Sequence, residues 1–280
     1  SGLESHISEA NATFCMALVS DWDRDPRFSS EALFEMCRLV ENECGLAARF
    51  SCAPLGAIVE CDVFPCVNEA ILASLLTSFA EGADRVCDAR KALCRRANLS
   101  WYARVACYFE VLAAVAGMRE FKTRHAQGFH VALPVEVWNA YVGDWCDMDA
   151  LYRSLCRAYG ACREKGYETL EEPVRSALEW AENLYSGWFL AESNACWTNA
   201  AQAQWLDSGC ISGIDRQRDF FWKIMPACKG SAKTMVVIVS DALRFEVGRE
   251  IADELEREKG GMVKLDSMQA TYPSITEFGM

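Results

Sequence analysis

Apolar positions recur at helical spacing along most of the 280-residue chain. Leu72, Leu76 and Phe79 share one face of a predicted helix. Met148, Leu151, Tyr152, Leu155 and Tyr159 follow the i, i+3, i+4, i+7 rule of a second. Val174, Ala177, Leu178, Ala181, Leu184, Tyr185 and Trp188 predict a third helix, with acidic residues and Pro173 near its N-terminus. Residues 121–134 (FKTRHAQGFHVALP) interrupt the period and read as a link between two helical parts. Residues 101–118 are long and apolar enough to raise the question of a membrane span. Arg104 and Glu110 lie inside them, and charges at that depth are costly in lipid, so a core helix is expected.

The pattern changes near Lys229-Gly230. Residues 234–239 (TMVVIV) form a short apolar run rich in β-branched side chains, as in a strand buried on both faces. The run ends at Ser240-Asp241. Phe245, Ala252 and Leu255 then mark a helix, Gly260-Gly261 a turn, and residues 262–268 a second strand. Strand, helix, strand is a βαβ unit with a right-handed crossover. The expected fold is therefore mostly α, followed by a truncated α/β portion. The division expected is a helical region over 1–125, a second, aromatic-rich helical region over 126–230, and an α/β start over 231–280. Residues 276–280 read as the opening of a further helix. Two parallel strands and one helix leave a bare sheet edge and face, so the chain is expected to be a piece of a longer protein.

Composition narrows the class. Hydrophobic residues make up 51% of the chain and charged ones 24%, which excludes disordered and collagenous chains. A net charge of −12 argues against a surface built to neutralise nucleic-acid phosphates. The basic stretch Arg85, Arg90, Lys91, Arg95 and Arg96 reads as a solvated helix face partnered by Asp84 and Asp88. The fifteen cysteines are odd in number, scattered singly and never spaced C-x-x-C. They read as reduced, buried apolar residues of a cytoplasmic protein, not as a disulfide framework or zinc site. Asp144, Asp147 and Asp149 lack the spacing and glycine of a calcium loop and read as the acidic start of a helix. The tryptophans, Trp138, Trp180 and Trp188 among them, fall on apolar helix faces and read as core.

Two residues carry candidate chemistry. Asp241 ends the first predicted strand, where open α/β sheets bind ligands, and its carboxylate suits a divalent cation; capping the next helix is the competing reading. Thr276 follows Pro273 at the predicted N-terminus of the next helix. A metal and the helix dipole there would stabilise its alkoxide as a nucleophile, with an ordinary N-cap as the alternative.

At these residues the sequence resembles a family. VVIVSDALRFEVGREIADEL followed by ATYPSITEFGM is similar to the opening of the PglZ domain, of the alkaline phosphatase superfamily, found in Pgl and BREX phage-defence systems. VWNAYVGDWCDMDALYRSLCRAY, LEEPVRSALEWAENLYSGWFLAESNACW and RDFFWKIM resemble the helices that precede that domain. The resemblance implies that Asp241 is a metal ligand, that Thr276 is the nucleophile and touches a metal, and that Arg244 occupies a position often filled by arginine, without an assigned role. It further implies a two-metal phosphoryl transfer, with zinc as the expected metal and manganese or magnesium as alternatives, through a phospho-threonine. Superfamily members supply further Asp and His ligands after the nucleophile. Here only Glu277, Phe278, Gly279 and Met280 follow, and His6, His125 and His130 all lie upstream. This chain is thus expected to hold no metal stably and to be inactive as it stands. The longer protein is expected to be a metal-dependent phosphohydrolase acting on a phosphorylated substrate or nucleotide, with other phage-defence proteins as partners, no membrane, and no direct nucleic-acid contact through this part. The alternative is a helical protein–protein interaction module of a phage-defence complex. Haloacid-dehalogenase phosphatases want a second Asp two residues on, where Leu243 stands, and receiver domains want an earlier acidic strand.

Overall fold

The computed structural model describes residues 8–25, 30–99, 101–223, 236–259 and 262–271. It is mostly α-helical and divides into two compact units, residues Ser1–Thr123 with Ser154–Glu182, and Arg124–Arg153 with Asn183–Met280.

The first unit is built around α5 (Cys66–Ala80), numbered after α1 (Glu9–Arg24), α2 (Ser30–Cys44), α3 (Leu46–Ser51) and α4 (Leu55–Ile58). Val67, Ile71, Leu72, Leu75, Leu76 and Phe79 are all fully buried. A helix apolar on every side must be covered on every side; α2's neighbour α3, α4, α6 (Val86–Arg96) and α10 (Glu168–Glu182) all pack on it. The apolar run at 101–118 lies within α7 (Tyr102–Arg124), with Phe109, Val111, Leu112 and Met118 in the core, as expected for a core helix. Among the described residues, no helix is long and apolar enough to cross a membrane.

Two buried charges lock this unit. The Glu41 carboxylate accepts the Cys66 N–H at 2.7 Å, satisfying an orphan donor at the positive end of α5. Arg38 holds its other oxygen at 3.0 Å. Burial, reinforced by Glu41, pushes the Cys66 thiol well above its ordinary pKa. Fully buried Arg96 donates to Asn68 Oδ1 at 2.7 Å and to the Cys61 carbonyl at 2.5 Å. Three other arginines of the basic stretch meet carboxylates. Arg85 pairs with Asp88, Arg90 with Glu120, and Arg95 with Glu60 and Asp62. Pro173 sits inside α10, not at its start, because the helix begins at Glu168.

The second unit contains α8 (Pro134–Ala140), a π-helical turn π1 (Tyr141–Trp145), the first turns of α9 (Cys146–Lys165), a second π-helical stretch π2 (Asn183–Leu190), α11 (Ala191–Ser208) and α12 (Phe245–Lys259). Phe129 centres an aromatic core with Trp145, Trp188 and Phe189, at ring-centroid distances of 4.3, 5.4 and 5.9 Å. The break expected over 121–134 is narrower in the structure: α7 runs to Arg124, and the next helix opens on Pro134.

The βαβ expectation meets a different arrangement. Its helix is present, as α12. The described parts of its strands, 236–240 and 262–268, form no ladder. Val236 and Ile238 are 77% and 87% exposed. A strand exists only where another backbone takes up its N–H and C=O groups. Among the described residues the single such pairing is a parallel bridge between Arg216 and Gln269. The cysteines also divide. Cys37, Cys66, Cys107, Cys146, Cys162 and Cys196 are buried, whereas Cys15, Cys44, Cys52, Cys87, Cys94 and Cys156 are exposed; every described cysteine is free.

Candidate functional site

The segment with candidate chemistry is anchored to the helices of the second unit by polar contacts. Gln269, buried, makes three side-chain hydrogen bonds. Its Oε1 accepts the Ile211 N–H at 2.9 Å, and its Nε2 donates to the carbonyls of Ile211 and Ile214 at 2.8 and 2.6 Å. Its backbone donates to the Asp215 carbonyl at 2.7 Å and accepts from the Gln217 N–H at 3.0 Å. Trp138 Nε1 donates to Ser267 Oγ at 3.0 Å. On α12, Arg249 pairs with Asp147, and Glu250 pairs with Arg153. Gln269→Leu strands three backbone groups at once and is expected to destabilise the second unit by about 2–4 kcal/mol. Hydrogen exchange at the Ile211 amide reads it directly; unchanged protection would show that the side chain anchors nothing.

Asp241 lies in an exposed turn just before α12. Its carboxylate accepts the Ala242 N–H at 2.9 Å. Ala242 has φ 57°, the single non-glycine residue with positive φ among the described residues. A side chain in the left-handed region costs about 1–2 kcal/mol, so the turn after Asp241 is strained. The first hydrogen bond of α12 runs from the Gly248 N–H to the Arg244 carbonyl at 3.0 Å, three residues after Asp241. Arg244 itself lines a cleft of about 330 Å³ with Trp138, Tyr141, Phe245, Leu265 and Met268. The structure thus puts Asp241 and Arg244 on one short turn. Thr276 lies outside the described residues.

Beside the cleft is a cluster that the sequence did not announce. Tyr141 and Tyr185 both donate to Asp149, to Oδ2 and Oδ1, each at 2.6 Å. Tyr152 stacks on Tyr185 with ring centroids 3.9 Å apart. Burial first, then the Asp149 carboxylate, raises the pKa of both phenols. Glu246 is only 2% exposed, and its Oε1 has no hydrogen-bond partner among the described residues. Both tyrosines stand on π-helical turns, where the extra residue per turn re-aims the side chain. The acidic trio is thereby accounted for. Asp144 meets Arg124 at 2.8 Å and His125 at 2.7 Å, Asp147 meets Arg249, and Asp149 meets the tyrosines. Asp147 and Asp149 do lie in the first turn of α9, but the helical path enters from α8 through π1, so that turn is not a free helix end.

Among the described residues no group of three or more His, Cys, Asp or Glu side chains is placed to hold a metal ion. Zinc takes three or four protein donors, and Asp241 supplies one carboxylate. The described residues do not by themselves fit a metal centre.

Residues 220–280 match the family model for the BREX system PglZ alkaline phosphatase-like domain. The chain is similar to PglZ proteins. It is 29% identical over 230 residues to the alkaline phosphatase-like protein BrxZ of Escherichia coli O9:H4 (strain HS), covering 79% of this chain and 26% of that one. It is 21% identical over 247 residues to the alkaline phosphatase-like protein PglZ of Bacillus cereus (strain H3081.97), covering 88% of this chain and 28% of that one. The chain therefore spans about a quarter of the length of these curated relatives. No solved structure matches it. The PglZ match begins at Phe220 and includes the turn at Asp241, α12, Gln269 and Thr276, while the similarity to BrxZ and PglZ extends over most of the helical region.

Proposed function

We propose that this chain is the helical platform and the opening segment of a PglZ-type, metal-dependent phosphohydrolase of bacterial phage defence. Residues 231–280 begin its phosphatase-like α/β part, and residues 234–239 and 262–268 are strands of a sheet that further chain completes. Asp241 is a ligand of a divalent metal, with zinc ahead of manganese or magnesium. Thr276 is the nucleophile and shares that metal. The substrate is a phosphoester or a nucleotide. The protein works in the cytoplasm beside other phage-defence proteins, and this part of it does not contact nucleic acid.

The observation that carries the reading is the PglZ match over 220–280, which contains both Asp241 and Thr276. The strained turn at Ala242 supports it, since strain of this kind persists where the surroundings hold a side chain in place for use. The anchoring of α12 and residues 262–271 by Arg249, Trp138 and Gln269 supports the role of the helices as a platform. As a unit of 280 residues the chain is predicted to be inactive. A chromogenic phosphoester, with zinc or manganese added, is expected to stay intact with this chain and to be hydrolysed once the chain is extended past Met280 to the length of its relatives. Turnover by the 280-residue chain that disappears in Thr276→Ala contradicts the inactivity. Failure of the extended chain to turn over any ester favours the interaction module instead.

A further inference from the structure

The bridge between Arg216 and Gln269 frames a second cavity, of about 160 Å³. Its walls are Ser208, Gly209 and Cys210 at the end of α11, Arg216 to Arg218, and Gln269 to Thr271. The backbone bonds Gln217 N–H to Gln269 carbonyl and Gln269 N–H to Asp215 carbonyl hold two of these walls together.

The cavity is rich in donors. Arg216 is oriented by Asp219 at 2.6 Å. Arg218 has no acidic partner among the described residues. The Thr271 hydroxyl is buried and has no hydrogen-bond partner among them. The neighbouring acceptors are in use. Asp215 pairs with Lys223, the Trp205 carbonyl accepts the Gly209 N–H at 3.0 Å, and the Gln204 carbonyl accepts the Ser208 hydroxyl at 2.9 Å. Arg216, Arg218 and Lys223 against Asp215 and Asp219 leave a local charge of +1 on a chain whose net charge is −12. Two guanidinium groups and a free hydroxyl in a walled cavity are the complement of a phosphoryl group, which takes planar N–H pairs and an O–H donor together.

We infer that this cavity binds a phosphoryl group through Arg216, Arg218 and Thr271. Thr271 precedes Thr276 by five residues, a reach of at most about 18 Å of extended chain. Resting on the phosphohydrolase reading, the cavity holds the non-reacting phosphoryl group of a substrate that carries two.

The test is titration of the 280-residue chain with inorganic phosphate, without added metal, followed by calorimetry or by phosphorus NMR. Wild type binds, Arg218→Ala weakens binding by about tenfold or more, Arg218→Lys weakens it less, and Arg257→Ala, an exposed change on α12 outside the cavity, leaves it unchanged. Thr271→Val, which keeps the side-chain shape, also weakens it. Arg218 is exposed, so its substitution leaves the core intact, and circular dichroism verifies the fold. Absence of phosphate binding, binding indifferent to Arg218→Ala, or binding lost equally in Arg257→Ala overturns the assignment. None of these readouts requires turnover, so an inactive extended chain leaves the result on this cavity standing.

Discussion

Arg96→Ala is expected to destabilise the chain by about 3–5 kcal/mol, the cost of removing one member of a buried polar set. Its guanidinium is completely shielded from solvent. It ties α6 to the Asn68 amide in the first turn of α5 and to the Cys61 carbonyl in the loop before it, with Asp62 at 3.5 Å. Burial first, with the neighbouring Arg95 charge adding to it, lowers the Arg96 pKa, and Asp62 acts against that. Truncation leaves a cavity beside α5 together with an unpaired amide oxygen and carbonyl. The adjacent Arg95 is the control. Arg95 itself is exposed, as is its partner Glu60, while Asp62 is half-buried, and such surface pairs contribute less than about 1 kcal/mol. Urea unfolding of the two variants should separate them clearly. Equal, small losses would show that Arg96 is not a structural tie.

Asp149→Ala comes next, with an expected loss of about 3 kcal/mol, because one carboxylate serves two buried phenols. It also has a spectroscopic signature. The Tyr141 and Tyr185 phenols are held above their ordinary pKa by burial and by the Asp149 charge. Removing that charge lowers both, so ultraviolet titration should find tyrosines ionising at lower pH than in the wild type. The sign for stability follows. The folded state holds these protons more tightly than the unfolded chain, so their contribution is complete below about pH 10 and falls as pH rises beyond it. Titration curves identical in variant and wild type would remove Asp149 from the cluster.

Which parts of this were legible depends on how local the cause is. Leu72, Leu76 and Phe79 mark α5 because a helix face repeats every 3.6 residues, and all three are buried. The same rule carried from Val174 through Trp188 misses Phe189 at the end of the run. The π2 stretch adds a residue to the turn, so Phe189 is buried as well, beside a half-buried Trp188 that the straight period does mark. The apolar run at 234–239 reads as a strand, yet a strand is a pairing, and its partners are set by other parts of a chain. Gln269 was invisible as an anchor for a related reason, since its three bonds go to the backbone of Ile211 and Ile214, more than fifty residues away. The Asp149 cluster was hidden too. Its carboxylate looked like part of an acidic helix start until π1 and π2 brought two tyrosines to it. Asp241 is proposed from its place at the end of an apolar run, and the structure adds the strain at Ala242 that no periodicity reveals.

The central claim is that Asp241 and Thr276 belong to one phosphoryl-transfer centre, and Thr276 decides it. In the chain extended past Met280, zinc- or manganese-dependent hydrolysis of a chromogenic phosphoester is predicted to fall at least about a thousandfold in Thr276→Ala and to survive in part in Thr276→Ser, which keeps the hydroxyl. Hydrolysis by Thr276→Ala at the unsubstituted rate, with the same metal dependence, would contradict the account.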